Sequence, residues 1–501
     1  MVFDRAKSYV VIIVIVLLLG LAYRSLNFYQ NLDGHHIFRQ AMIACNIHYF
    51  LQEGISISTK LMAKNMPQKI FDFPLYQQIV ALLCFAFGTN FILTGRALNI
   101  VVYFLTSLTL LGLLSSLGTK RSMILLTLFF FAISPLNIIF NRAIMPDNLA
   151  VLFSFLSLLL FIHWYRGTAN RSLCYFVMVV FGILSTLIKN PIYFAVVVAI
   201  IVFYVSNKDY KGLFSPAMLA FLGTILFVVV IFKIYANSVN GPLPYSETKW
   251  YFGDMELRLN RFAYTTIFRS FAIEVVSPPV FTLVLLGFAQ YFLTSRKEPD
   301  KEWPVILGLV VGAGLTILIF FNLNVVHDYY QLPFVFVTCF LAARGADDFF
   351  QRINYALKDA NPRPRKGWMI FIMIFVLGAI AYLNRPYVMD LVEPEEMKRA
   401  GNFIRSHTAE NGFVLYTSKK GSWNPAGLYY ATREGYNVTA EQLSSKLFEK
   451  LYHEFGSTGR VFYLYVPFAL QQKVPDSALQ KARMVSRSAE DSLFILDYSL
   501  Q

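Results

Sequence analysis

The recurrence of apolar runs constrains this chain more than any other feature. Stretches at 8–27, 94–117, 122–141, 146–164, 172–188, 191–206, 213–235, 277–295, 303–323, 328–345 and 367–384 each approach the length of a membrane crossing. Spanning about 30 Å of hydrocarbon takes roughly 20 helical residues. Inside lipid every backbone N–H and C=O must find a partner in the protein, and a helix meets that demand segment by segment. The chain is therefore read as an all-α polytopic membrane protein with about eleven transmembrane helices. Its 56% hydrophobic and 16% aromatic content exceeds what a soluble domain buries. A cleaved signal peptide is the lesser reading of the first run: Gly20-Leu21-Ala22 is a weak cleavage site, and an uncleaved anchor fits the runs that follow.

Orientation turns on the stretch "FPLYQQIVALLCFAFGTNF", residues 73–91, which is apolar but broken by Gln77, Gln78 and Gly88. Lys and Arg in short loops mark the cytoplasmic side. If 73–91 does not cross, the loops "GTKRS", "YRGTANRS", "SNKDYKG", "TSRKEPDKEW" and "QRINYALKDANPRPRK" all share the side of the basic N-terminus. If it crosses, all five face outward. The first assignment follows, and residues 28–93 become a long first external loop of interfacial helices, with 73–91 dipping into the membrane. The net charge of +14 is then explained by orientation rather than by nucleic-acid binding.

Beyond the last run hydropathy falls. Helix-like segments ("EPEEMKRAGNFIRSHT", "AEQLSSKLFEKLYHEF") alternate with strand-like ones ("GFVLYTSK", "GRVFYLYV", "SLFILDYSL"), so residues 390–501 read as a small extracytoplasmic α/β domain after a transmembrane domain of 1–389. A proline-rich basic linker, "NPRPRKG", precedes the last span. Cys45, Cys84, Cys174 and Cys339 are scattered, with no disulfide framework or metal-knuckle spacing. Asn437-Val438-Thr439 is a formal glycosylation sequon of little weight, since such triplets arise by chance.

With that sidedness, the unusual polar residues gather at the outer boundary. Asp33, His35, His36 and Arg39 follow the first span in "NLDGHHIFRQ"; Arg142 and Asp147 sit in the short turn "NRAIMPDN"; Lys189, Asn190 and Pro191 form the hairpin of "STLIKNPIYF"; His327, Asp328, Tyr329 and Tyr330 lie in "NVVHDYYQLPF". Each has a plainer reading. Lys189 and Arg142 suit snorkelling anchors, Tyr329 and Tyr330 an interfacial aromatic belt, Asp147 and Asp33 helix caps, and the histidines simple packing. Together they offer complementary chemistry. A carboxylate takes a proton from an attacking hydroxyl. Acids and imidazoles hold a divalent cation such as Mg or Mn, here at Asp33, His35, His36 and Asp147. Lys and Arg neutralise a phosphate leaving group. The external loop 236–275 adds Trp250, Tyr251 and Phe252 with Arg258, Arg261 and Arg269, rings suited to sugars and guanidiniums suited to phosphates; an amphipathic helix lying on the membrane is the equal alternative.

The order of these pieces, an Asp after the first span, "FDFPLYQQIVALLCFAFG", "TGRALNI", "ISPLNIIFNRAIMPDN", "LIKNP" and "HDYYQLP", resembles the membrane-embedded C-type glycosyltransferases, the group of protein O-mannosyltransferases and aminoarabinose transferases. The resemblance covers residues 8–345. It implies transfer of a sugar from a polyprenyl-phosphate carrier to a lipid, glycan or protein acceptor on the extracytoplasmic face of a membrane such as the bacterial inner membrane, with inversion. It further implies that Asp33 is the catalytic or metal-associated carboxylate with Asp147 as the second acid, that Lys189 meets the carrier phosphate, and that His327, Tyr329 and Tyr330 lie near the donor. The residues themselves add Arg142, Arg258 and Arg261 as ligands of the donor phosphate, and His35, His36 and Arg39 at the donor and acceptor positions. Many relatives carry two adjacent acids in the first loop where this chain has Asp33-Gly34-His35-His36, which puts the use of a metal in question. Two other functions stand beside this one: a lipid-linked-sugar flippase or transporter, which would place charges near the bilayer midplane, and a polysaccharide polymerase or ligase.

Overall fold

The computed structural model describes residues 6–66, 70, 72–243, 245–293, 301–356, 362–385, 392–419, 421–455, 460–476, 482–488 and 490–496. The start of the chain, most of the basic loop after 293, the first residue of the linker "NPRPRKG" and the expected domain boundary at 390 lie outside these residues. The chain forms two compact units: Met1–Phe28 with Arg96–Ser238 and Leu243–Asp390, and Tyr29–Gly95 with Val239–Pro242 and Leu391–Gln501. The first long loop thus clusters with the C-terminal segment rather than with the apolar helices.

The helices begin with α1 (Ala6–Ser25), α2 (Ile37–Glu53), α3 (Leu75–Phe87), α4 (Phe91–Leu117), α5 (Arg121–Ile133), α6 (Pro135–Arg142), α7 (Asp147–Arg166) and α8 (Arg171–Ser206). Among the described residues six helices are long and apolar enough to cross a membrane, or up to eight if each of two bent pairs is one span. The chain is a multi-pass membrane protein, but the count of eleven is not established. Hydropathy does not register breaks: the run 303–323 is a helix of 17 residues, Trp303–Ile319, followed by a short second one, and the run from 328 opens in a 3-10 turn. The 13-residue α3 spans about 20 Å at 1.5 Å per residue, too short to cross.

Within the first unit, α5 and α6 meet at a 58° bend at Ser134-Pro135. A break inside an apolar layer exposes carbonyls that must be satisfied. Three side chains do so: Asn137 donates to the carbonyl of Phe131 at 2.8 Å, Arg24 to that of Ala132 at 3.0 Å, and Asn384 to that of Ile133 at 3.1 Å. Arg24 is fully buried and lies 3.7 Å from the centre of the Tyr103 ring.

The long α8 turns back on itself at Lys189, whose backbone leaves the helical region (φ −159°, ψ 86°). Trp164, near the end of α7, packs against Tyr175 of the first arm at 5.6 Å, while Phe161 packs against Phe203 and Tyr204 of the second at 5.4 and 5.6 Å. A straight helix would hold Tyr175 and Tyr204 about 43 Å apart. The two arms are therefore the two runs expected at 172–188 and 191–206, joined at "LIKNP". Pro191 falls in the first turn of the second arm, where its missing N–H costs nothing. Ser154 bonds Ser185 at 2.7 Å, and Ser157 bonds Tyr193 at 2.8 Å, tying both arms to α7. Helix Trp303–Ile319 presses Gly308 and Gly312 against the backbone of Ala199 and Ala195, where a Cβ would come within 2.6 and 2.2 Å of a carbonyl oxygen.

In the second unit a mixed sheet runs β2-β1-β3-β5-β4, from β1 (Phe413–Thr417), β2 (Glu434–Val438), β3 (Phe462–Pro467), β4 (Ala482–Arg487) and β5 (Asp491–Leu496). β1 is parallel to β2 and β3; β5 is antiparallel to β3 and β4. The apolar runs of β1, β3 and β5 were legible in the sequence. β2 ("EGYNV") and the largely exposed β4 ("ARMVSR") carry no apolar run or clean alternation and were not. Asn437 of the sequon is fully buried in β2 and donates to the carbonyl of Asn424 at 2.7 Å, which removes it as a glycosylation acceptor in the folded protein.

The outer edge of β2 is covered by the first long loop. The amide of Lys64 donates to the carbonyl of Gly435 at 2.8 Å, that of Gly435 to Met62 at 3.0 Å, and Asn65 exchanges side-chain bonds with the backbone of Asn437. Covering an edge strand in this way blocks stray pairing. Beside it, Glu434 receives Lys64, Arg460 and the Tyr49 hydroxyl, each at 2.6 Å. Burial alone would raise the Glu434 carboxyl, but these three partners outweigh it and hold it at about 2. A carboxyl depressed in the folded state contributes stability that is present above its unfolded value near 4.5 and lost as pH falls toward 2. Thermal unfolding in detergent should therefore weaken between pH 4.5 and pH 2, and Glu434→Gln should flatten that part of the profile; an unchanged slope in the variant overturns the assignment.

Candidate active site

The first unit builds one cluster from several separate elements. Asn99 on α4 donates to the carbonyls of Ala143 and Met145 at 2.6 and 3.0 Å and so fixes the turn between α6 and α7. That turn delivers Asp147 as the first residue of α7, where a negative charge meets the positive end of the helix. The α8 hairpin brings Lys189 to it: Nζ lies 3.6 Å from Asp147 Oδ1, an ion pair longer than a hydrogen bond, with the side chains 3% and 0% exposed. The same ammonium sits 4.7 Å from the Tyr329 ring centre and 4.9 Å from that of Tyr330, within cation–π range. His327 stacks on Tyr329 at 4.8 Å, Phe140 meets Tyr329 edge-on at 5.8 Å, and Trp250 lies 6.3 Å from His327. A buried cation beside a carboxylate, walled by rings, is a place where an anionic group can enter and exchange partners with Lys189.

The other basic residues expected at the donor phosphate have contacts of their own. Arg142 is fully buried and donates to the carbonyl of Leu26 at 3.2 Å. Arg258 donates to the carbonyls of Leu318 and Ile319, at 2.8 and 3.1 Å, and to that of Phe252 at 2.5 Å. It therefore caps the end of helix Trp303–Ile319, where a cation is favoured. Arg261 lies 5.2 Å from the ring of Phe262.

The second unit holds Asp33, His35, His36 and Arg39. Asp33 is 1% exposed; Gln30 donates to its Oδ1, and the Gln40 side chain bonds both its backbone N–H (3.3 Å) and its carbonyl (3.1 Å) as well as the carbonyl of His35 (2.7 Å). The two imidazoles meet edge to face at 4.5 Å, and His36 takes a left-handed conformation (φ 47°) before α2. Arg39 pairs with Asp72. Gly34, which stands where relatives carry a second acid, donates its amide to the carbonyl of Val392 at 3.0 Å, and a Cβ there would stand 3.0 Å from the same oxygen. A side chain at 34 would require that carbonyl to give by a few tenths of an ångström.

Sequence reasoning missed Asn99, Gln30, Gln40 and Asp72. The one available signal was polarity within apolar context, as for Asn99 in "TGRALNI"; Gln30 and Asp72 stand in bends and Gln40 on the first turn of α2, where polar residues are unremarkable.

The fold is that of solved membrane glycosyltransferases. ArnT from Cupriavidus metallidurans bound to undecaprenyl phosphate matches with TM-score 0.62 and 12% identity over 99% of both chains. The Archaeoglobus fulgidus oligosaccharyltransferase tethered with an acceptor peptide matches with TM-score 0.60 and 12% identity, over 97% of this chain and 73% of that one; the same enzyme has also been crystallised with Zn and sulfate. The mycobacterial arabinofuranosyltransferase AftD matches with TM-score 0.57 and 11% identity, over 99% of this chain and 40% of that one. At these identities the likeness is one of fold. No family model and no curated protein sequence matches the chain.

Proposed function

We propose that this protein is a membrane glycosyltransferase that moves a sugar from a polyprenyl-phosphate carrier to a lipid, glycan or protein acceptor on the extracytoplasmic face, with inversion at the anomeric carbon. The observation that carries this reading is Lys189, a lysine 3% exposed at the turn of an apolar hairpin, beside Asp147 and between tyrosine rings. A carrier whose tail lies in the membrane presents its phosphate at headgroup depth, and an ammonium held there by a loose ion pair is suited to receive it. The fold shared with a protein solved with undecaprenyl phosphate bound supports the same donor class.

In this reading Asp33 removes the proton from the acceptor hydroxyl or amine as that atom attacks the anomeric carbon. The bond to the carrier phosphate breaks, and Lys189, with Arg142, offsets the charge left on the phosphate oxygens. Tyr329, Tyr330 and His327 offer flat faces to the sugar. The adjacent imidazoles of His35 and His36 offer two nitrogen ligands for a divalent cation, Mg, Mn or Zn; a cation held there would add Lewis-acid stabilisation of the phosphate. Arg258 and Arg261 are proposed as further cations for the donor phosphate, Arg258 while it also serves the carbonyls of Leu318 and Ile319.

Mass spectrometry of envelope glycolipids and glycans with and without the protein tests the function: one sugar-bearing species should vanish and its carrier-linked donor accumulate, and unchanged profiles overturn the reading. A reporter fused after Gln501 should be active only on the extracytoplasmic side; activity in the cytoplasm would mean that 73–91 crosses the membrane.

A further inference from the structure

Hydrogen bonds from the C-terminal segment bracket Asp33. Two residues before it, the Asn31 side-chain oxygen accepts the Tyr429 hydroxyl at 2.9 Å; one residue after it, the Gly34 amide donates to the carbonyl of Val392. Tyr429 belongs to the short helix Ala426–Ala431, which links β1 to β2, and is 6% exposed. Neighbouring Tyr430 is buried as well, and its ring lies 5.4 Å from that of Tyr429. On the far side of this helix, Gly427 is so close to the Tyr416 ring of β1 that a Cβ would overlap it, so the helix has little freedom to shift on the sheet. The sheet, the helix seated on it and the Tyr429 hydroxyl therefore hold the backbone just before Asp33, as the Val392 carbonyl does just after it. Nothing in the composition of residues 390–501 suggested a chemistry for them, and none of their side chains is needed as an acid, a base or a ligand.

We infer that Tyr429 is a positioning residue for Asp33, and that the C-terminal α/β segment serves transfer by fixing the loop that carries this carboxylate. The inference rests on the reading of Asp33 as the acceptor base. A base displaced by a fraction of an ångström loses alignment with the proton it must take. The effect belongs in kcat, because the acceptor base acts in the chemical step.

Tyr429→Phe keeps the ring, and so the packing, while deleting one part-buried hydrogen bond. Its kcat in membranes supplied with a polyprenyl-phosphate sugar should fall about five- to tenfold, the loss expected for a single hydrogen bond, with KM for the carrier unchanged. Asn31→Ala should give the same loss, and the double variant should be no worse than either single one, because both delete the same bond. Losses that multiply in the double variant, or a matching rise in carrier KM, overturn the assignment to positioning. Asp33→Asn run alongside separates the two levels. If it abolishes transfer while Tyr429→Phe is silent, the inference fails and the function stands. If Asp33→Asn is itself silent, the reading of Asp33 as the base fails first.

Discussion

Replacing Asp33 with Asn should lower sugar transfer by about two to four orders of magnitude, the range associated with loss of a positioned general base. The substitution is nearly isosteric. The Asn side-chain oxygen can still accept from Gln30, and Gln40 bonds only the backbone of residue 33, so the loop keeps its anchors. Carrier binding and membrane insertion should be unaffected, which places the loss in kcat. Turnover of a defined carrier-linked sugar in membranes checks this directly, together with carrier retention by the solubilised variant. Near-normal turnover removes Asp33 from the mechanism.

Lys189→Ala should cost both stability and carrier binding, and a second substitution separates the two. Removing the ammonium takes the Lys189 cation from the fully buried Asp147 carboxylate, and breaking a buried ion pair typically costs about 3–5 kcal/mol. Lys189→Ala with Asp147→Asn removes the stranded charge and should recover most of the lost thermal stability. Carrier binding should stay weak in the double variant while acceptor binding is near normal, because the phosphate has lost its ammonium in either case. Recovery of carrier binding along with stability would make Lys189 a structural cation, the snorkelling reading that its position at a span end also permits.

The sequence exposed the parts of this fold that rest on local patterning. Apolar runs marked the helices, and "LIKNP" marked the return of α8, because a proline and a polar pair inside an apolar stretch have few other uses. β1, β3 and β5 were legible from their apolar residues. β2 was not: "EGYNV" becomes a strand because β1 pairs with it on one side and residues 62–65 on the other. The candidate site residues were likewise legible as types at a common boundary, but their employment was not. Arg258 and Arg39 have the charge of phosphate ligands, and the structure uses one to cap a helix and the other to pair with Asp72. Charge is written in sequence; the partner that consumes it is set by what folding brings within 3 Å.

What the sequence determined by itself is the solvent in which each segment lives. Hydropathy is a property of single segments, so the membrane helices, the polar C-terminal segment and the acid after the first span could be assigned without knowing any contact. Tertiary structure decided which segments share a unit. The loop carrying Asp33 clusters with the C-terminal sheet, and Asp147, Lys189 and Tyr329 meet although they lie on separate stretches of chain. Contacts of that kind repay their loop-closure entropy only when all are made together. No local stretch of the chain carries the information by itself.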